Sequence, residues 1–447
     1  MMERISHAAD TLLRIEDEVS AVHGMTVGVF EGPQPSFDDI QDLVQSRVPL
    51  VPRYRQRLVD LPLPMERPLW VDDPHFTIDF HVRNTALPER REIDALSGLV
   101  SRLQSQRMDR SKPLWELWVV SNLRDGHWAL ISKVHYAMID GVSGTDLFGL
   151  LLDDAPVSDV DDTFTPKPLP SPVSLVPGAL LDRAFDPVDT LRTLTDVALL
   201  PMRTVRRSVA AMRPNEGALR TTIGPHRRWH RCQVPLETAR RVREIHDCST
   251  TDVILTGITG GIAHWLEARG EEVPSWLTAM IPLAFASEDT GYNSQIAASV
   301  ARLPIGIADP IDRLDTITAQ TALNAQSAGA VAAHAFSRPD QFSSPTVMAL
   351  GVGAALQETH RSRKIDTVAV NVPGPPMAQH ILGCELLKVY PVIPLAGQVP
   401  VAVGVLSYNE DLSFGITGDY DSAPELSILA DGIRESLEAL AAAPARI

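Results

Sequence analysis

Lys-Val-His-Tyr-Ala-Met-Ile-Asp-Gly-Val-Ser-Gly, residues 133–144, is the stretch around which the rest of the chain is organised. An apolar run from Trp128 to Val134 precedes it and leucines at helical spacing follow it, so the pattern predicts a strand, a turn and a helix. A histidine at the end of a strand can act as a general base, because its ordinary pKa lies near neutrality. The pair Asp140-Gly141 suits a tight turn, in which glycine accepts a positive φ.

The composition is that of a soluble globular protein. The chain has 447 residues, 44% of them hydrophobic and 21% charged, which predicts two or three domains with large cores. Its formal net charge of −16 argues against broad binding to nucleic acid. The cysteines lie far apart in the sequence, and we predict that they are reduced, buried thiols in a cytoplasmic protein: Cys232, Cys248 and Cys384.

The sequence indicates neither a secretion signal nor a membrane span. The N-terminus, Met1–His7, lacks the apolar segment of a signal peptide. No run approaches the roughly 18 apolar residues that span a bilayer. We therefore expect a cytoplasmic protein that is not secreted and that meets the inner membrane or a lipid droplet only at its surface.

A change of composition divides the chain. Between Asp153 and Pro177, clustered aspartates give way to closely spaced prolines, a composition that does not form a packed core. From Gly178 to Arg213, apolar residues recur at near-helical spacing and arginines cluster at the end. This segment predicts an amphipathic helix that lies on a membrane or packs against its own domains. The predicted division is an N-terminal domain at 1–155, the linker and amphipathic segment at 156–220, and a C-terminal domain at 221–447.

Hydrophobic periodicity predicts helices alternating with strands on both sides of this segment, which indicates an α/β protein. The predicted helices are 6–18, 37–48, 96–103, 236–245, 253–266, 310–326 and 425–441. The predicted strands are 27–30, 76–82, 117–120, 128–134, 229–234, 277–282, 303–307, 368–371, 401–407 and 412–417. A separate trio, Arg53, Arg55 and Arg57, predicts either a solvated face or a site for an anionic ligand.

Several blocks of sequence resemble those of a known family. Residues 133–144 resemble the His-His-x-x-x-Asp-Gly motif of the acyltransferase superfamily that includes condensation domains and chloramphenicol acetyltransferase. The blocks Pro68–Val82, Asp109–Glu116 and Asn371–Pro375 are similar, in the same order, to blocks of the bacterial wax ester synthase/diacylglycerol acyltransferase family. Chance is a poor explanation for long collinear blocks, and the resemblance covers nearly the whole chain.

Four motif positions depart from the family's pattern. The second histidine of the motif, which is the base in that family, is Tyr136 here, so only the first histidine remains, as His135. The other departures stand where the family has Asn, Arg and Ser, and they are Thr251, Ala286 and Val370.

The resemblance implies a fold and an activity. The fold would be α/β, with two chloramphenicol-acetyltransferase-like lobes, mixed sheets flanked by helices, and a tunnel between the lobes. The activity would be the transfer of a fatty acyl group from acyl-CoA to diacylglycerol, which makes triacylglycerol, or to a long-chain alcohol, which makes wax ester. Acyl-CoA is then a co-substrate, no cofactor or metal is required, and the expected partners are these lipids with a membrane surface or lipid droplet, and no nucleic acid.

The resemblance also assigns site residues. His135 and Tyr136 are the catalytic candidates, while Asp140 and Gly141 hold the turn. The candidates for the tunnel and the domain interface are Thr251, Asp252, Asn371, Pro373 and Gly374. Neither a spacing typical of metal ligands nor a G-x-S-x-G elbow accompanies them.

Tyr136 leaves a second function open. With an ordinary pKa of about 10, a tyrosine needs a shift of roughly three units, worth about 4 kcal/mol, to act as a base at neutral pH, and a nearby arginine could supply part of it. His135 faces the opposite side if the segment stays extended. The alternative is therefore a catalytically impaired homologue that binds acyl-CoA or neutral lipid, or regulates an active relative. Condensation on carrier-bound thioesters is unsupported, because the sequence shows no carrier-like segment.

Overall fold

Helices and strands alternate along the chain in the computed structural model, which describes residues 3–60, 67–88, 94–138, 147–153, 164–167, 219, 221–285, 295–327 and 364–444. The elements before residue 153 are β1 (Glu3–Arg4), α1 (His7–Ile15), β2 (His23–Phe30), α2 (Phe37–Arg47), β3 (Gln56–Val59), β4 (Leu69–Asp72), α3 (Ile78–His81), β5 (Val82–Ala86), α4 (Ala95–Ser105), β6 (Trp115–Ser121), β7 (Trp128–His135) and α5 (Leu147–Leu150).

The elements after residue 221 continue the alternation. They are β8 (Arg227–Pro235), α6 (Leu236–His246), α7 (Thr250–Ala268), β9 (Leu277–Phe285), β10 (Gln295–Leu303), α8 (Pro310–Ser327), β11 (Thr367–Pro373), β12 (His380–Ile381), β13 (Cys384–Val392), β14 (Val401–Tyr408), β15 (Asp411–Asp419) and α9 (Leu426–Ala442).

Local side chains decide where several helices begin. The Ser6 hydroxyl accepts a hydrogen bond from the backbone N–H of Ala9 (3.1 Å) and starts α1. At α7, Ser249 and Asp252 form a capping box: the Ser249 hydroxyl accepts from the Asp252 N–H (3.1 Å), and the Asp252 carboxylate accepts from the Ser249 N–H (2.9 Å). Such caps satisfy N–H groups that have no partner inside the helix.

Within the described residues, the strands form two large sheets and a small one. The first large sheet has the order β12-β13-β2-β7-β6-β5, the second has the order β10-β9-β11-β14-β15-β8, and the small sheet is β1-β4-β3. Both large sheets are mixed, because β5 pairs parallel with β6 and β11 pairs parallel with β9 and β14, while the other pairs are antiparallel. The predicted α/β class with mixed sheets and flanking helices is confirmed.

One strand crosses between the two parts of the chain. β13 lies beside β2 in the first large sheet, with Tyr390 opposite Val27. The Tyr408 hydroxyl of β14 donates to the backbone carbonyl of Leu386 in this strand, at 2.7 Å. The predicted domain boundaries at 155 and 221 stay a prediction. The sequence analysis did not predict that the C-terminal part of the chain supplies a strand to the N-terminal sheet.

Two of the predicted strands are wrong in their bounds. Residues 78–81 form the short helix α3, and the strand starts only at Val82. The reason is tertiary, because the Phe76 and His81 rings stack 5.3 Å apart and His81 Nδ1 hydrogen-bonds the Trp115 carbonyl at 2.8 Å. The strand predicted at 303–307 is wrong: β10 ends at Leu303, and the chain turns there, with the Ile307 N–H donating to the Pro304 carbonyl at 3.2 Å.

The arginine trio is neither a solvated face nor an open anion site. Arg53 pairs with Glu3 at 2.7 Å and lies over the Trp70 ring, while Arg57 lies 3.8 Å from Asp73. Arg55 is buried, with its guanidinium over the rings of Phe76 and Phe164. Through Phe164, a short piece of the proline-rich segment therefore docks on the N-terminal part.

Among the residues that the structure describes, no helix has the length and apolar character needed to cross a bilayer. The amphipathic segment predicted at 178–213 lies outside the described residues.

Candidate active site

The segment that the sequence singled out lies at the end of a central strand. β7 runs between β2 and β6, and His135 is its last residue, opposite His23 of β2. A single 3-10 turn, Tyr136–Met138, follows, and the Tyr136 N–H donates to the Val22 carbonyl at 3.1 Å. The predicted order of strand and turn is confirmed. Asp140 and Gly141 lie outside the described residues.

The His135 ring is buried, with one nitrogen hydrogen-bonded to the backbone and the other facing a carboxylate. Its Nδ1 accepts a hydrogen bond from the Ala137 N–H at 3.0 Å, which leaves Nε2 as the nitrogen that carries a proton. Nε2 lies 3.5 Å from Oε1 of Glu16. The ring therefore turns its N–H towards a carboxylate and has its other nitrogen occupied by the backbone, an arrangement that suits holding the turn better than taking a proton from a substrate.

Glu16 is a buried carboxylate at the end of α1. Its Oε2 accepts hydrogen bonds from Arg110 Nη2 (2.5 Å) and Nε (3.0 Å), and Arg110 Nη2 also donates to the Leu13 carbonyl (2.8 Å). Burial by itself would raise the pKa of the Glu16 carboxyl, but His135 and Arg110 together lower the pKa below its ordinary value. Glu16 is therefore ionised at neutral pH and links His135 to Arg110.

Tyr136 lies among apolar side chains from both parts of the chain. Its side chain is 5% exposed. It belongs to a hydrophobic cluster that combines residues of α1, β11 and β14 with others near them in the fold. The members of this Tyr136 cluster include Leu12, Val22, Met280, Val368, Val370, Val372, Ile393 and Ala402. Burial raises the pKa of the Tyr136 phenol above its ordinary value. The expectation that an arginine lowers this pKa is not met. At neutral pH the phenol is protonated and is a hydrogen-bond donor, not a base.

A glycine makes room for the Tyr136 ring. A Cβ atom on Gly24 would lie 2.5 Å from the Tyr136 hydroxyl oxygen and 2.8 Å from Cε1. No side chain larger than hydrogen fits there unless the ring moves. The sequence reasoning missed Gly24, because nothing local marks a strand glycine as the neighbour of a residue 112 positions later.

A group of buried polar side chains lies on the other side of β7. Lys133 Nζ donates to the carbonyls of Leu103 (2.9 Å) and Gln106 (2.6 Å) and so binds the last turn of α4 to the sheet. Burial lowers the pKa of Lys133 to about 8. His23 is fully buried, and neither of its ring nitrogens has a hydrogen-bond partner among the described residues. Burial, followed by the charges of Lys133 and His135, lowers the pKa of His23 well below its ordinary value, so this ring is neutral.

Of the five residues predicted for the tunnel and the domain interface, Thr251 and Asn371 contact each other through their side chains. The Asn371 side chain donates to the Thr251 hydroxyl at 3.5 Å, and the Asp252 carboxylate accepts from the Thr321 hydroxyl at 2.6 Å. Because side chains alternate along a strand, Asn371 lies on the face of β11 opposite Val370 and Val372, which pack with Tyr136.

The last two of these residues form a close turn. Pro373 ends β11, and the Gly374 N–H donates to the Ser407 hydroxyl at 3.2 Å. A Cβ atom on Gly374 would lie 2.2 Å from the Ser407 carbonyl oxygen, so this turn requires glycine. A role of the five residues in a tunnel stays a prediction.

No group of histidine, cysteine, aspartate or glutamate side chains within the described part of the chain has an arrangement that could hold a metal ion. The three cysteines are free thiols, but only Cys232 is buried; the expected burial is wrong for Cys248 and Cys384, which are partly exposed.

Comparison with known proteins places the chain in a family. Residues 6–254 match the model of the wax ester synthase/diacylglycerol acyltransferase catalytic domain, and residues 293–441 match the model of the WS/DGAT C-terminal domain. The protein named "Probable diacyglycerol O-acyltransferase tgs1" of Mycobacterium tuberculosis is 30% identical over 443 residues, which cover 96% of this chain and 93% of that protein. The chain therefore belongs to the wax ester synthase/diacylglycerol acyltransferase family, and the resemblance read from its motifs is confirmed.

Solved structures agree on the fold. A wax ester synthase/diacylglycerol acyltransferase from Marinobacter aquaeolei VT8 superposes with a TM-score of 0.68 at 22% identity, and the match covers 98% of each chain. The starter condensation domain of rhizomide synthetase, solved with C8-CoA and Leu-SNAC, superposes with a TM-score of 0.57 at 12% identity over 100% of this chain and 95% of that one. At these identities the likeness shows the fold, which is the condensation-domain type that the motif implied.

Proposed function

We propose that this protein is an acyl-CoA-dependent O-acyltransferase that moves a fatty acyl group to diacylglycerol or to a long-chain alcohol. Family membership supports the reaction type. The observation that carries the proposal is the position of the Tyr136 turn, which ends a central strand and packs against side chains from both parts of the chain. In the reaction, the acceptor oxygen bonds to the thioester carbonyl carbon, the carbon–sulfur bond breaks, and the acceptor proton ends on the CoA thiol.

The proposed role of Tyr136 is hydrogen-bond donation. A protonated phenol in apolar surroundings can donate to the oxygen that becomes negative as the tetrahedral intermediate forms, and such a donor acts strongly where water is excluded. It cannot accept the acceptor proton at neutral pH. We infer that the transfer runs by positioning and by stabilisation of the oxyanion, without the histidine base that the family has at this position. Loss of a general base lowers a rate by about 10²–10⁴-fold, so we expect slow turnover.

The proposed role of His135 is to position the turn. Its hydrogen bond to the Ala137 N–H fixes the backbone directly after Tyr136, and Glu16 fixes the ring. His135 therefore acts through Tyr136 in this proposal and does not touch the reacting atoms.

The test is CoA release by the purified chain from palmitoyl-CoA, with diacylglycerol or hexadecanol as acceptor. We expect slow release that depends on the acceptor, a further loss of about 10-fold or more in kcat for Tyr136→Phe, and a gain in kcat for Tyr136→His, which restores the base. Tyr136→Phe with unchanged kcat would contradict the donor role.

A wild-type protein without turnover, together with an active Tyr136→His variant, would contradict the proposed activity and favour the function in acyl-CoA or lipid binding. Circular dichroism of each variant separates loss of chemistry from loss of fold.

A further inference from the structure

A cleft lies along the seam between α4 and β8. Its volume is about 710 Å³, and its walls include Ser101 and Arg102 of α4 and Arg228 with Tyr420 on the opposite side. The seam below it is held by hydrogen bonds: the Trp229 N–H donates to the Ser101 hydroxyl at 2.8 Å, and the Arg227 N–H donates to the Ser105 hydroxyl at 2.9 Å. These hydrogen bonds between α4 and β8 fix the floor of the cleft.

The cleft presents positive charge that is not neutralised. Among the described residues, neither Arg102 nor Arg228 has an ion pair with a carboxylate. Arg228 is held in place, since its Nε donates to the Tyr420 carbonyl at 2.8 Å and its guanidinium lies 3.8 Å from the centre of the Tyr420 ring. Asp94, which also lines the cleft, already accepts two hydrogen bonds from Arg231, at 2.8 and 2.9 Å. Glu425 is the one lining carboxylate among the described residues without such a partner.

A helix end adds to this field. Leu426 and Ser427, the first residues of the 17-residue helix α9, line the cleft, and the preceding residue, Glu425, makes no side-chain cap. The first N–H groups of a helix have no partner within it, and the helix dipole favours an anion there. Two arginines and this helix end therefore surround the same space.

Arg227, one of the residues that line the cleft, also contacts the loop that supports the candidate active site. The Arg227 guanidinium donates to the Val19 carbonyl in the loop between α1 and β2. At one end of this loop, Glu16 faces His135, and at the other end the Val22 carbonyl accepts from the Tyr136 N–H. Arg227 thus connects the wall of the cleft to the loop that contacts the Tyr136 turn.

We propose that this cleft binds the phosphate-bearing end of acyl-CoA through Arg102 and Arg228. The assignment rests on the proposed function, because acyl-CoA is the polyanionic substrate of that reaction. Arginine is well suited to phosphate, because its planar donors match the phosphate oxygens. Tyr420, 46% exposed, presents an aromatic surface beside these cations, on which the adenine ring of CoA can stack. Phospholipid headgroups carry the same phosphate chemistry, so the experiment must separate the two sources.

The experiment is calorimetric titration of the full chain with unacylated CoA, which measures binding without turnover. Arg102→Glu and Arg228→Gln should each weaken CoA binding by about 10-fold or more, since a charge-assisted hydrogen bond contributes about 1.5–3 kcal/mol. Glu425→Gln removes the opposing charge and should tighten binding. Arg241→Glu is the matched control, because Arg241 is exposed on α6, outside the cleft, and its substitution changes the net charge by the same amount as Arg102→Glu.

Three results would overturn the assignment. One is CoA binding that is unchanged in both arginine variants. Another is equal weakening by Arg102→Glu and Arg241→Glu, which would mean a general charge effect. The third is unchanged CoA binding together with loss of flotation on phosphatidylglycerol vesicles in Arg102→Glu, which would assign the cleft to lipid headgroups. The readout is independent of chemistry: CoA bound in the cleft by a protein without turnover would refute the proposed function and leave the cleft assignment standing.

Discussion

The fit between Gly24 and Tyr136 predicts a strong coupling between these two positions. In Gly24→Ala, the new Cβ would lie 2.5 Å from the Tyr136 hydroxyl oxygen and 2.8–2.9 Å from Cε1 and Cζ. Non-bonded heavy atoms prefer about 3.5–4.0 Å, so the overlap is about 1 Å. The ring has little room to retreat, because it is 5% exposed and surrounded by side chains of two sheets.

The magnitude follows from the cost of overpacking a buried site. Extra atoms in a filled core destabilise a fold by about 1–3 kcal/mol, so Gly24→Ala should lower the free energy of unfolding by this amount. In a Tyr136→Val background the clashing ring atoms are absent, and the same substitution should be neutral or stabilise by about 0.4–1 kcal/mol through the unfolded state. The coupling energy between the two positions should then reach about 1–4 kcal/mol.

The assay is urea unfolding followed by tryptophan fluorescence, on the wild type, both single variants and the double variant. Gly98→Ala is the control for a glycine substitution as such, because a Cβ there meets nothing within 4 Å. An unchanged unfolding midpoint in Gly24→Ala, or an equal loss in the Tyr136→Val background, would refute the close fit on which the placement of the ring depends.

Two further predictions concern two buried charged side chains: Glu16, which faces His135, and Lys133 of β7. Glu16→Gln should lower the free energy of unfolding by about 1–3 kcal/mol at pH 7. Because the pKa of Glu16 is lowered in the folded state, this difference from the wild type should shrink as the pH falls below about 4.5. A difference that stays constant in urea titrations at acid pH would contradict the ionised pair. The pKa of Lys133 is lowered to about 8, so the folded state loses this proton before the unfolded state does, and stability should rise between pH 8 and 10. That rise should be absent from Lys133→Met, and an equal rise in the variant would show that Lys133 is not its source.

Much of the fold followed from local pattern. Amphipathic periods placed the long helices α2, α4, α7, α8 and α9 to within a few residues, because a helix with one apolar stripe has few ways to bury it. The capping residue Ser249 marked the start of α7 for an equally local reason. The pattern of residues 133–144 predicted the strand and the turn. Together with the similar blocks elsewhere in the chain, it also indicated the family. In all these cases the interacting residues are close together in the sequence.

Contacts between distant residues were decided by the tertiary structure alone. The sequence contains Glu16 and Arg110, but their hydrogen bond joins residues 94 positions apart and exists only after α1 packs against the turn Tyr136–Met138. The burial that keeps Tyr136 protonated arises in a cluster that combines side chains of α1, β11 and β14, and the space for its ring comes from Gly24. The pairing of β13 with β2 in the first large sheet is likewise a contact between residues far apart in the sequence. A pKa depends on the solvent and charges that surround a group, and no local pattern of residues records which distant side chains will surround it.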